Sequence, residues 1–345
     1  MAKKSSKSVN KKLIGLTIFG FLICCLAIAV IIIYWPQNTL EEPVKIRIKK
    51  GSTLTQISKI LADSGIVSNQ DMFITSAKMM GHSNKIPAGS FVLVDVKSNH
   101  ALINQLIHGE QQVKKVTLLE GWSIPQVAQA ISNALNINSE IFTNFCYNSQ
   151  FIQELGLEAP SLEGYLCPDT YLFLESEDEP RAIIKRIIEQ FQIVYDEKLI
   201  ERTEQLGFSI NEVLTLASII EGEAIFDSEK PIISGVYNNR LKRGMLLQAD
   251  PTIQYIIPDG PRRLRYSDLK IDSPYNTYLY KGLPPAPINS PGKASILAAL
   301  YPEENDFLFF VARGDGYHTF TRTTEEHNLA KLQFQEIRKR VAENN

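Results

Sequence analysis

Cysteine, histidine and tryptophan are scarce in this chain, with only four, five and two residues among 345. Two of the cysteines, Cys24 and Cys25, sit inside an uncharged apolar run. That leaves Cys146 and Cys167 either as one bridge or as buried free thiols, so a disulfide framework is excluded. There is no CxxC and no His/Cys cluster at zinc spacing, which argues against a structural metal. An excess of positive charge is also missing. Lys+Arg number 36 against 38 Asp+Glu, and five of the basic residues, Lys3, Lys4, Lys7, Lys11 and Lys12, precede the apolar run. Beyond residue 36, 31 basic groups stand against 38 acidic ones. A body of that sign is a poor candidate for gripping nucleic-acid phosphates.

What is present begins with the apolar run. No residue from Leu13 to Trp35 is charged, and at 1.5 Å per residue a helix there reaches roughly 30–35 Å, enough to cross a hydrocarbon core. A cleaved leader would have a shorter apolar stretch ending in small residues, whereas this run ends in Ile31-Ile32-Ile33-Tyr34-Trp35-Pro36. Ile23 before Cys24 also fits a lipid-attachment site badly. The sequence predicts an uncleaved anchor over 13–35. Its lysine-rich tail, 1–12, would lie in the cytoplasm and the rest of the chain outside.

The exported part reads as α+β. A short linker, Pro36 to Pro43, precedes Val44-Lys45-Ile46-Arg47-Ile48, which alternates as a strand does. Thr53 caps a helix carrying Leu54, Ile57, Ile60 and Leu61 on one side. Ser68 with Asp71 resembles a capping box opening a second helix that stops at Gly81. Gly89–Val94 supplies a second strand. The order strand–helix–helix–strand over 44–112 resembles the LysM module, a small fold used against N-acetylated glycans; a spacer that binds nothing fits as well. An echo follows, as Lys50-Gly51-Ser52-Thr53-Leu54-Thr55-Gln56 compares with Glu120-Gly121-Trp122-Ser123-Ile124-Pro125-Gln126. A connecting α+β region, 113–207, contains an amphipathic helix from Pro180 with Ile183, Ile184, Ile187, Ile188, Phe191 and Val194 on one face. A mixed α+β catalytic domain would occupy 208–340.

Chemistry concentrates in that last segment. Ser209 and Glu212 form a capping box, and the helix they open is apolar all round until Glu221-Gly222-Glu223. Glu221 shares a face with Leu214, Ala217 and Ser218, so desolvation there would raise its pKa as a general acid requires. Glu223 would point about 200° away. The alternative for both is to cap or salt-bridge a core helix. Ser228 to Arg243 reads as a further helix ended by Gly244. Three loop-forming stretches follow: Leu247–Tyr255, Ser273–Tyr278 and Gly282–Ile288. They interleave amides, hydroxyls and aromatic rings, the groups that hold sugars; a Pro-rich scaffold with packed tyrosines would have the same composition.

The runs Leu216-Ala217-Ser218-Ile219-Ile220-Glu221-Gly222-Glu223, Tyr237-Asn238-Asn239-Arg240-Leu241, Leu247-Gln248-Ala249-Asp250-Pro251-Thr252, Tyr275-Asn276-Thr277-Tyr278 and Gly282-Leu283-Pro284-Pro285 closely resemble the endolytic murein transglycosylases, the YceG-like proteins. Glu163-Gly164-Tyr165-Leu166, Pro168-Asp169-Thr170-Tyr171, Phe310-Val311-Ala312 and His318-Thr319-Phe320 resemble the same family, in order over 44–335. Cys167 stands where family members often have Phe. The resemblance implies a membrane-anchored lytic transglycosylase that cuts between N-acetylmuramic acid and N-acetylglucosamine to leave 1,6-anhydro ends. It implies Glu221 as the catalytic acid, with Glu223 the second family carboxylate. Glu223, also the fallback for the catalytic acid, and Gln248, Asp250, Thr252, Tyr255, Tyr275, Asn276 and Tyr278 are the candidates for holding sugar. It implies no cofactor, and peptidoglycan synthases as partners in ending nascent strands. Two alternatives stay open: a hydrolytic muramidase pairing Glu221 with Asp250, and a non-catalytic glycan-binding scaffold.

Overall fold

The computed structural model describes residues 11–343 except Glu41, Glu110, Gln111, Asn136, Ser176, Glu177 and Asp259. Lys3, Lys4 and Lys7 of the expected cytoplasmic tail lie outside the described residues. The chain divides into two compact units, Met1–Lys114 with Leu172–Glu177, and Lys115–Tyr171 with Asp178–Asn345. The architecture is α+β.

In the first unit the apolar run is one helix, α1 (Lys11–Ile33), whose stretch Ile14–Ile33 is long and apolar enough to cross a membrane. There follow β1 (Val44–Ile48), α2 (Leu54–Asp63), α3 (Gln70–Met79), β2 (Gly89–Leu93) and α4 (Asn99–His108). β1 and β2 pair antiparallel, from Val44 opposite Leu93 to Ile48 opposite Gly89. Strand alternation turns Ile46 and Ile48 inward against Leu61, Phe73, Phe91 and Leu102, all buried. Thr53 caps α2 in a capping box with Gln56. At α3 the cap differs from the expectation. Asn69 accepts from Met72 N–H, while the Ser68 hydroxyl is engaged elsewhere, donating to Pro36 O at 2.8 Å.

That bond belongs to a set that makes the expected linker an ordered seat for α1. Asn99, fully buried, donates through Nδ2 to Ile32 O at 3.0 Å, a carbonyl at the end of α1 that also accepts the Trp35 N–H at 3.3 Å. Its backbone N–H donates to Trp35 O at 3.0 Å. Gln37 Nε2 donates to Asn99 Oδ1 at 2.5 Å, and Gln37 Oε1 accepts from Ser68 N–H at 3.0 Å. Tyr34 stacks on His100 with ring centroids 5.2 Å apart.

The remaining elements are β3 (Val113–Leu118), α5 (Ile124–Leu135), α6 (Ser139–Cys146), α7 (Ser149–Glu154), β4 (Asp169–Leu174), α8 (Pro180–Val194), α9 (Glu197–Leu206), α10 (Ile210–Glu223), α11 (Lys230–Lys242), α12 (Asp250–Ile256), α13 (Lys293–Leu300), β5 (Phe309–Ala312), β6 (His318–Thr321) and α14 (Thr324–Glu343). α8 buries Ile183, Ile184, Ile187, Ile188 and Phe191 as its period predicts, and packs on α6. α10 has the Ser209–Glu212 capping box and buries every residue from Val213 to Ile220. It packs against α11, α12 and α13, so its C-terminal glutamates are held by a rigid core element. Two local readings are revised. A single 3-10 turn, Asp227–Glu229, precedes α11, which starts at Lys230 with Pro231 in its first turn. Within the stretch expected to be loop, 250–256 is helical, because Pro251 occupies a first-turn position where its missing N–H costs nothing. Cys146 and Cys167 are both buried free thiols; burial pushes both thiols up, Cys167 to about 11.

Candidate active site

The two glutamates that end α10 face opposite surroundings, as their spacing predicts. Glu221 is turned into protein. One of its oxygens accepts from Ser295 Oγ at 2.6 Å and from Gly292 N–H at 2.9 Å. Lys230 Nζ, itself only 3% exposed, lies 3.4 Å away and is also paired with Asp227 at 2.8 Å. Glu120 is pressed against Gly292, where a Cβ would fall 2.0 Å from its Oε1. Burial pushes the Glu120 carboxyl upward, with the Glu221 charge adding to it. The isolated, desolvated acid expected at Glu221 is therefore absent: a buried cation and two neutral donors engage it, and it lines none of the cavities described below.

Glu223 lines two adjoining cavities. One, of about 960 Å³, is lined by Gly121, Ser123, Gln126, Tyr147, Asp250, Gln254, Tyr255 and Asn289 among others. The second, of about 360 Å³, adds Tyr237, Arg240, Gln248, Tyr278, Phe310, His318, His327 and Lys331. Burial is the main cause that pushes the Glu223 carboxyl up to about 7; the nearby Asp250 charge adds to this, while the Tyr237 hydroxyl and Arg240 oppose it. Tyr237 O–H donates to Glu223 Oε1 at 2.7 Å. Asp250 accepts from Tyr278 O–H at 2.5 Å. The helix that carries Asp250 comes this close because Gly222 has no side chain: a Cβ there would lie 2.6 Å from Pro251 Cβ. A proton-holding carboxyl and a second carboxylate thus face one cleft, an arrangement suited to acid–base chemistry on a glycosidic bond.

The other sequence-named residues divide in two. Tyr255 lines the large cavity, with its ring 5.0 Å from that of Tyr275. Gln248, at φ +49°, and Tyr278 line the smaller one. Thr252 and Asn276 are fully buried. The Thr252 hydroxyl donates to Ala249 O at 2.7 Å, and Asn276 donates to Leu269 O and Ile271 O and accepts from Tyr278 N–H. These two hold the loops in shape and present nothing to a ligand.

Some cleft groups carried no sequence assignment. Glu163 is fully buried and accepts Ile124 N–H at the start of α5 at 3.0 Å. Desolvation pushes its carboxyl up to about 8, opposed by that N–H. Its signal was a lone acid among apolar residues in Leu162-Glu163-Gly164-Tyr165. His318 receives support from Glu229, whose oxygens lie 2.9 Å from its Nδ1 and its N–H. Asn289 donates to Ser218 O at 2.9 Å and leaves its buried Oδ1 without a partner. Tyr237, fourteen residues beyond Glu223, meets it only because α11 folds back along α10. Among the described residues, no group of three or more His, Cys, Asp or Glu side chains is placed to hold a metal.

Comparison with known proteins agrees with this architecture. The profile of the YceG-like family matches residues 46–333. A Bacillus subtilis protein named endolytic murein transglycosylase is 34% identical over 313 residues, covering 86% of each chain. A Streptococcus pneumoniae protein of the same name is 27% identical over 328 residues, 84% of this chain and 58% of that longer one. A crystal structure of a yceG-like protein from Listeria monocytogenes aligns with a TM-score of 0.59 at 30% identity, covering 84% of this chain and 99% of that one. With one family's profile running from β1 into α14 and a relative matched over most of both lengths, the chain belongs to the YceG-like family.

Proposed function

We propose that the protein is a membrane-anchored endolytic lytic transglycosylase of peptidoglycan, with Glu223 rather than Glu221 as its proton carrier. The observation that carries this reading is the environment of Glu223: it faces the cleft, holds its proton to about pH 7 and receives the Tyr237 hydroxyl. Glu223 donates its proton to the glycosidic oxygen as the bond from the muramyl C1 breaks, and the departing sugar leaves as an alcohol. The resulting carboxylate then removes the proton of the muramyl C6 hydroxyl. That oxygen attacks C1 and closes the 1,6-anhydro ring, and Glu223 is protonated again. One residue serves both steps because the nucleophile belongs to the substrate. Asp250, with Tyr278 fixing its carboxyl, supplies negative charge beside the oxocarbenium-like centre. The paired carboxylate of Glu221 anchors the turn before α13.

From the lysine-rich start and α1 we infer a single-pass protein of the bacterial cytoplasmic membrane, with its N-terminus inside and the chain beyond residue 36 outside. Residues 44–112 serve as a LysM-like module. Peptidoglycan synthases are the partners, and ending nascent strands is the cellular role.

A second reading has its own observation in favour. Asp250 and Glu223 line the same cavities, and two carboxylates flanking one site suit hydrolysis, with Asp250 activating water. Mass spectrometry of peptidoglycan digested in ¹⁸O-labelled water separates the two. Anhydro ends without label are expected; labelled reducing ends would establish the hydrolase and sink the transglycosylase.

A further inference from the structure

Next to the cleft lies a wall of arginines that the proton-transfer scheme leaves unused. A cavity of about 780 Å³ is lined by Arg262, Arg263, Leu264, Arg265 and Tyr266, and by Asp250 and Tyr278. The last two also line the cavity that holds Glu223, so the arginine cavity and the reacting centre share a wall. Three ties hold the loop that carries the arginines. Arg262 makes a two-point bond to Asp268, Nη1 at 2.7 Å and Nη2 at 3.0 Å. Arg265 N–H donates to the same carboxylate at 2.7 Å. Gln254, on the helix that begins with Asp250, donates to Arg262 O at 2.6 Å and accepts Arg262 N–H at 3.0 Å. The loop is therefore fixed to the helix that carries the cleft carboxylate.

Arg262 serves the loop itself. Arg263 and Arg265 are exposed, and neither guanidinium has a hydrogen-bonded carboxylate among the described residues. In a chain body with more acidic than basic groups, two such exposed guanidiniums on one cavity wall suit an anion, although Asp250 shares that wall and the Arg265 charge also acts on Asp268. The planar guanidinium fork matches carboxylates best. The volume lies in the range that encloses a drug-sized ligand, more than one sugar ring needs. In peptidoglycan, the muramyl residue carries its carboxylates on a peptide joined through the lactyl group, beside the bond to be cut.

We propose that this cavity receives the stem peptide of the muramyl unit at the cleavage point, with Arg263 and Arg265 pairing its carboxylates. The inference rests on the peptidoglycan reading above and adds a substrate requirement: the strand must still carry its peptides. The protein would then act before any reaction that strips peptides from the glycan.

Binding, measured apart from cleavage, tests this. The full chain in detergent micelles is titrated with a muramyl disaccharide carrying its peptide, the same disaccharide stripped of peptide, and a form whose peptide carboxylates are amidated. The peptide-bearing ligand should bind about tenfold tighter than the other two. The Arg263→Ala/Arg265→Ala variant, which keeps the Arg262–Asp268 tie and the fold as read by circular dichroism, should erase the difference. Equal affinities for the three ligands, or a preference that survives the double substitution, would overturn the proposal. So would displacement by inorganic phosphate at an ionic strength where acetate has no effect, since that marks a phosphate site. Preferential binding in a protein that cleaves no glycan would count against the proposed reaction and support the site.

Discussion

Two glutamates separated by one glycine have different partners. Glu221 meets a buried lysine, a serine and a backbone N–H; Glu223 meets a tyrosine and a second carboxylate across a cleft. Glu223→Gln should therefore lower cleavage by about 10²–10⁴-fold with the fold intact. Glu221→Gln should act through stability, costing about 2–3 kcal/mol by leaving Lys230 with Asp227 alone, read as a lower thermal midpoint. The pH profile follows from the same surroundings. A general acid must be protonated, so cleavage should fall above about pH 7. Tyr237→Phe removes an interaction that lowers the Glu223 pKa, and should shift that limb upward. Stability is linked with the same sign. Glu223 and Glu163 hold protons to about 7 and about 8, above their ordinary value of 4.5. Their contribution is complete below pH 4.5 and is lost as pH rises through 7 to 8. Thermal midpoints measured from pH 5 to 8.5 should decline, and Glu163→Gln should flatten the decline.

Among the elements, those with a strong period were legible in the sequence. α8 and α10 stand where their apolar spacing puts them, and β1 and β2 follow their alternation. The opposite directions of Glu221 and Glu223 were also readable from the 100° step of a helix. Which one faces the cleft was not, because Lys230 and Ser295 reach Glu221 from α11 and α13, and Tyr237 reaches Glu223 across a helix–helix contact. Thr252 and Asn276 looked like sugar ligands by type; burial decided otherwise. The α3 cap was misread by one residue because Ser68 bonds Pro36, a partner 32 residues away. That bond belongs to the seat of α1, where Asn99 is central. Asn99→Ala should cost about 1–3 kcal/mol, since it leaves the Gln37 amide without its partner and Ile32 O with the Trp35 N–H alone. Hydrogen exchange of α4 and of residues 35–38 in micelles should then accelerate. Unchanged exchange there would mean that α1 ends in a free tether.

For the whole molecule, the charge balance, the long apolar helix and the α+β order bound the answer, and membership of the YceG-like family narrows it to wall glycans. The apolar helix belongs to the first of two compact units, and every cavity group invoked above lies within the second. The central claim is that this second unit cuts glycan through Glu223. The most direct test incubates purified peptidoglycan strands with the wild-type chain, Glu221→Gln and Glu223→Gln, and quantifies anhydro-muramyl ends by mass spectrometry. Anhydro ends from the wild type and, per folded molecule, from Glu221→Gln, with none from Glu223→Gln, are the predicted result. Anhydro ends from Glu223→Gln at the wild-type rate, or their loss only in a fully folded Glu221→Gln, would contradict it.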